Sequence, residues 1–160
     1  MQKITVVLVA LVASISSAFA EQVRLRPFEF TMPSSFFADS PIAGTVYGIG
    51  PRYQGFSASL IVQLCTPETS WCEADDDVPG DMGFMTSCES ARKEQISWSA
   101  KLTEYRWVCP PTILQGESIM ASASIFAAKG RKMRIAYLAH ESATTPQQLM
   151  DAIAKSMRVH

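Results

Sequence analysis

The stretch 117-ESIMASASIFAAKGRKMRIAYLAHE-141 decides the fold. Small and apolar residues alternate through Ile119, Ala121, Ala123 and Ile125, the chain turns at Ala128, Lys129 and Gly130, and alternation resumes through Met133, Ile135, Tyr137 and Ala139. A period of two on both arms predicts a β-hairpin, because successive side chains of extended backbone point to opposite faces. Its register depends on the turn. A three-residue loop with Gly130 left-handed brings all eight residues onto one face. A two-residue turn at Lys129 and Gly130 scatters them over both faces, since a slip of one residue inverts every side chain. We expect the first, with Ser122 and Ser124 meeting Lys132 and Arg134 on a second, partly wet face.

Working outward, residues 55–65, GFSASLIVQLC, alternate with Phe56, Ala58, Leu60, Val62 and Leu64 on one side, a strand with one strongly buried face. FEFTMP at 28–33 and GTVYGIG at 44–50 predict shorter strands, the second interrupted by Gly48 and Gly50. KLTEYRWVC at 101–109 places Tyr105 and Trp107 on the same side as Cys109, and Pro110 and Pro111 end it. The last segment, TTPQQLMDAIAKSMR, predicts an amphipathic helix: Thr145 caps, Pro146 suits the first turn and Gln148 completes a capping box. Its apolar stripe is Leu149, Ala152, Ile153 and Met157, with Asp151 and Lys155 paired on the wet side. A second helix is expected after the Thr86-x-x-Glu89 box, with Ala91 and Ile96 inward. The fold class is therefore α+β, an antiparallel sheet flanked by helices.

Residues 1–20 carry Lys3, an apolar run from Ile4 to Ile15 and the small-residue end SSAFA, the pattern of a secretory leader cleaved before Glu21. Twelve apolar residues are fewer than the roughly 20 a membrane-crossing helix needs. The expectation is a leader at 1–20 and one exported domain at 21–160, periplasmic or secreted, with no membrane anchor once the leader is cut. With Lys3 removed, 13 bases face 15 acids, so no general attraction for nucleic acid is expected. A 48% hydrophobic composition with eight phenylalanines can fill a core.

Cys65, Cys72, Cys88 and Cys109 all fall in the exported part, where an even set pairs by default. No C-x-x-C occurs and the histidines are His140 and His160 alone, so neither a structural zinc site nor thioredoxin-like chemistry has its spacing. Three connectivities are open. We expect Cys65–Cys72 and Cys88–Cys109, loops worth about 2.5 and about 3.4 kcal/mol by chain entropy. The stretch 65-CTPETSWCEADDDVPGD-81 holds six of the fifteen acids and no base. It departs from the EF-hand pattern in lacking the terminal glutamate, and reads as a stapled, solvated loop. Trp71, Glu73, Asp75, Asp76, Asp77 and Asp81 are the candidate binding residues there, an aromatic anchor with charge that suits a basic partner. The alternatives are that Trp71 packs beneath its own loop, or that the acids hold a cation.

The order of elements resembles the Mog1/PsbP/DcrB-like group. The likeness is carried by FEFTMPSSF at 28–36, GPRYQGFSASLIVQL at 50–64 and RIAYLAHESATTPQQLMDAIAKSMR at 134–158. It implies an antiparallel sheet flanked by helices and a non-enzymatic module that binds other macromolecules: a small GTPase, a photosynthetic complex or secreted effectors.

Chemical motifs are sparse. GFSAS at 55–59 is not the nucleophile elbow G-x-S-x-G, and HESAT at 140–144 has Thr144 where a zinc protease needs its second histidine. GIGPRY at 48–53 lacks the third glycine of a dinucleotide site. His140 beside Glu141 is the one internal candidate for acid–base work, and the alternative is that it closes the final strand. The expected function is an exported, non-enzymatic protein-binding module, an immunity or accessory protein, without cofactor or metal. A small hydrolase using His140 and a cation-binding module at 73–81 are the alternatives.

Overall fold

The computed structural model describes residues 21–38, 45–53, 56–66, 91 and 93–160. The leader, the Thr86 box and the acidic loop with Trp71, Glu73, Asp75, Asp76, Asp77 and Asp81 lie outside the described residues, as do Cys72 and Cys88. One large sheet is ordered β3 (Phe37–Ala38), β4 (Thr45–Tyr53), β5 (Phe56–Leu64), β10 (Arg131–His140), β9 (Glu117–Ala128), β7 (Leu102–Val108) and β6 (Lys93–Ser99). β8 (Thr112–Leu114) pairs the beginning of β9. A small sheet has the order β1 (Gln22–Leu25), β2 (Phe28–Thr31), β11 (Arg158–Val159), and α1 spans Pro146–Ser156. Neighbouring strands run antiparallel in both sheets.

The hairpin turns on two residues, contrary to expectation. Ala128 pairs Arg131, and Lys129 and Gly130 both take left-handed backbone, at φ 50° and 70°. That is the primed turn whose twist matches the flanking strands. Ile125 consequently lies opposite Arg134, and Ser124 opposite Ile135. The single-face reading fails because both faces of β9 are buried: Ser122 and Ser124 are as fully enclosed as Ala121 and Ala123. With no wet face to penalise a slip, turn geometry and two-sided packing set the register.

One face of the large sheet is covered by α1 and the small sheet. Leu60, Val62, Ile135, Tyr137 and Phe126 meet Phe28, Phe30 and Met32 of the small sheet and Leu149, Met150 and Ile153 of the helix. On the far face Trp107, Cys109, Ile119, Ala121, Ala123 and Ile125 form a second core, with Tyr105, Ala136 and Leu138 against it. Burying a large apolar side chain contributes about 1.5–3 kcal/mol, so the two clusters supply most of the driving force.

The cap of α1 is as expected: Gln148 N donates to the Thr145 hydroxyl and Thr145 N to the Gln148 side chain. Its buried stripe includes Met150 and Ala154, while Ala152 is exposed, so the helix is rotated from the predicted face. The second helix is also corrected over the described residues. Lys93–Ser99 is strand β6, with Ile96 half-buried, and among the described residues α1 is the sole helix. The glycine interruption in β4 has a steric cause: a Cβ on Gly50 would lie 2.6 and 2.7 Å from carbons of the Phe36 ring. That ring meets Tyr137 edge-on, centroids 6.2 Å apart.

Neither Cys65 nor Cys109 is a free thiol. They do not bridge each other. Cys65 N donates to the Lys132 carbonyl near the hairpin turn, whereas Cys109 N donates to Ala121, six residues along β9 from Ala127, the partner of Lys132. Six residues are about 20 Å of strand, against the roughly 6 Å between Cα atoms that a disulfide spans.

Candidate functional site

The turn between β1 and β2, the β9–β10 turn and the end of β11 converge at one corner. β11 pairs β2, and His160 N donates to the Pro27 carbonyl at 2.9 Å, fixing His160 beside the first turn. Between them opens a cleft of about 620 Å³, floored by buried Phe28 and half-buried Pro27 and rimmed by Arg24, Arg26, Lys129, Arg131 and His160, with Glu29 the one acid among the described lining residues. The Glu29 carboxylate is already shared, 3.3 Å from Arg24 Nε and 3.1 Å from His160 Nε2. Arg26, Lys129 and Arg131 carry no ion pair with any described residue. Three exposed cations around one concavity, beyond the two bases that already share Glu29, produce a focused positive potential. The lining arginines and lysine come from RLR at 24–26 and KGRK at 129–132. Two short basic runs in a chain of net negative charge are the signal the sequence holds for this corner.

A second charged group lies under α1. Glu104 is wholly buried and accepts four hydrogen bonds: from Arg106 Nε at 2.7 Å, Arg106 Nη2 at 2.9 Å, Ser124 Oγ at 2.6 Å and Trp98 Nε1 at 2.7 Å. Arg106 Nη2 also donates to Asp151 Oδ1 at 2.8 Å. Asp151 thus turns toward the sheet rather than pairing with Lys155 on the wet side. Burial alone would lower the Arg106 pKa, but the bonds to Glu104 and Asp151 outweigh it and the guanidinium is held charged more firmly than usual. This satisfied network ties β6, β7, β9 and α1 together and is structural.

His140 ends β10 and is buried. Its Nδ1 accepts the Ser142 amide at 3.1 Å, which leaves the ring proton on Nε2, 3.2 Å from Glu117 Oε2. Glu141, the expected acid–base companion, instead accepts from the Ser118 hydroxyl at 2.7 Å. His140 and Ser118 are therefore each committed to a carboxylate. Tyr137 donates to the Thr144 carbonyl at 2.8 Å, and burial pushes its hydroxyl pKa up to about 12. Among the described residues no three or more His, Cys, Asp or Glu side chains assemble as metal ligands. No described helix is long and apolar enough to cross a membrane.

No protein-family model matches the chain, and no curated protein does. Solved structures do. Cyanobacterial PsbP (CyanoP) from Synechocystis sp. PCC 6803 superposes with a TM-score of 0.52 over 92% of this chain and 96% of that one, at 14% identity. A protein of Bacteroides thetaiotaomicron VPI-5482 gives 0.51 over 84% of this chain at 7% identity, and this chain spans 45% of its length. The chain thus has a PsbP-like fold, in agreement with the resemblance read from its sequence.

Proposed function

We propose that this chain is an exported binding module, periplasmic or secreted, that holds a partner protein and catalyses nothing itself, in an accessory or immunity role. The observation that carries the reading is the basic cleft. Arg26, Lys129 and Arg131 surround a cavity of about 620 Å³ whose one described acid, Glu29, is taken up by Arg24 and His160. Unpaired like charges repel one another, an arrangement relieved by an acidic ligand. The PsbP-like fold supports the reading as architecture only. The acidic loop at 73–81 was expected to meet a basic partner; the cleft instead favours an acidic one. We further propose that the four cysteines form two bridges. With Cys65–Cys109 excluded by distance, the pairings left are Cys65–Cys72 with Cys88–Cys109, or Cys65–Cys88 with Cys72–Cys109.

The test is affinity capture from the exported fraction of the native cell, with the mature chain and its Arg26→Glu/Arg131→Glu variant as parallel baits. A partner retained by the first and lost by the second is expected. Equal retention by both baits would remove the cleft as the binding surface.

A further inference from the structure

The basic cleft continues. On the other side of the Lys129–Gly130 turn lies a second cavity of about 420 Å³, lined by Lys101, Thr103, Ala127 and Ala128 and sharing Lys129 with the first. Lys129 therefore stands between the two as a common cation, held outward by the left-handed turn. Lys101 adds a further base on the far side. We propose that the two cavities form one binding track for an extended acidic peptide segment, whose carboxylates pair with Arg26 and Arg131 in the first cavity, Lys129 at the crossing and Lys101 in the second. This rests on the reading of the cleft as the binding surface.

Three observations select this ligand. The track has two lobes joined over a turn, which suits a chain with charges at intervals better than a compact anion held at one point. The first lobe already holds one carboxylate, Glu29 between Arg24 and His160, so its donors are disposed for carboxylate geometry. Glu29 also penalises a doubly charged phosphate more than a singly charged carboxylate. Among the described lining residues Phe28 is 1% exposed and offers no face on which a base could stack, and the one exposed ring, His160, is already engaged with Glu29 at 3.1 Å, which argues against a stacked run of single-stranded nucleic acid.

Fluorescence anisotropy of a labelled octaglutamate peptide with the mature protein tests the proposal. Saturable binding that weakens with added salt is expected. Arg26→Ala/Arg131→Ala should weaken it about tenfold, the sum of two exposed ion pairs. Lys129→Asn, which retains the left-handed turn, and Lys101→Ala should each weaken it about threefold, with no loss of thermal stability. Lys101→Ala without effect would confine the ligand to one lobe and overturn the track. Displacement by inorganic phosphate at concentrations matching those of peptide carboxylate would reassign the cleft to a small anion. An octathymidylate that binds more tightly than the peptide would reassign it to nucleic acid. Octaglutamate that fails to bind, while the charge-reversed bait still loses its partner, would overturn the acidic-peptide ligand and leave the binding surface standing.

Discussion

Glu104 shows how far a buried charge can be committed to one structure. Four donors surround its two oxygens, and two come from the fork of Arg106 two residues along the same strand. Removing one member of such a pair leaves the other charged and buried, at a cost of about 3–5 kcal/mol, whereas removing both leaves less uncompensated charge. Glu104→Ala is therefore expected to lower unfolding free energy by about 3–5 kcal/mol, and Glu104→Met/Arg106→Met by clearly less than the sum of its single changes. Urea denaturation of the four-member cycle measures this. Tyr137 supplies a pH dependence of known sign. Its folded pKa of about 12 lies above the ordinary 10, so the folded chain keeps the proton where the unfolded chain loses it. The resulting stabilisation is complete below pH 10 and is lost as pH rises through 12. Between pH 9 and pH 11 the native protein should lose about 1.3 kcal/mol more than Tyr137→Phe. At neutral pH that variant should be about 1 kcal/mol less stable, for want of the bond to Thr144. The E-x-R spacing at 104–106 was visible in the sequence, since alternation puts both residues opposite Tyr105 and Trp107. That their face was buried could not be read from a strand whose polar side looked wet.

Among the elements, the β9–β10 hairpin carries the main correction. Sequence patterning assigns register by asking which residues share an apolar face, and that question has no answer when Ser122 and Ser124 are enclosed as completely as their neighbours. The turn held the information instead: Lys129–Gly130 adopts a conformation for which a glycine in the second position is strongly preferred. A methyl group on Gly130 meets nothing within 4 Å, so any penalty there comes from the backbone at φ 70° alone. Gly130→Ala should cost about 1 kcal/mol, and Lys129→Asn should stabilise by a few tenths, both readable as shifts in the thermal midpoint. The capping box of α1 was legible because its signal is local. The orientation of that helix was not, because Asp151 is drawn inward by Arg106, a residue 45 positions away. β6 was expected to be helical because of the capping-box pattern Thr86-x-x-Glu89 upstream, and its own seven residues alternate too weakly to contradict that.

At the scale of the whole molecule, the PsbP-like arrangement was legible from the sequence of strands and the closing helix, and the basic corner was not. That corner is made by three segments far apart in the chain, 24–29, 129–131 and 160, which meet only because β11 returns to pair with β2. A two-residue strand leaves no periodicity to read. The compartment proposed for the chain is tested on the intact molecule: protein recovered from the exported fraction should begin at Glu21, show no reactive thiol when denatured without reductant, and map to one of the two remaining cysteine pairings. An uncut leader with four reactive thiols would contradict it. Leu64 and its partner Met133 stand 69 residues apart, so the central strands cannot close until nearly the whole polypeptide has been synthesised. Such non-local topology collapses slowly. Under the export proposed for this chain, that delay would keep it competent for passage through a translocation pore.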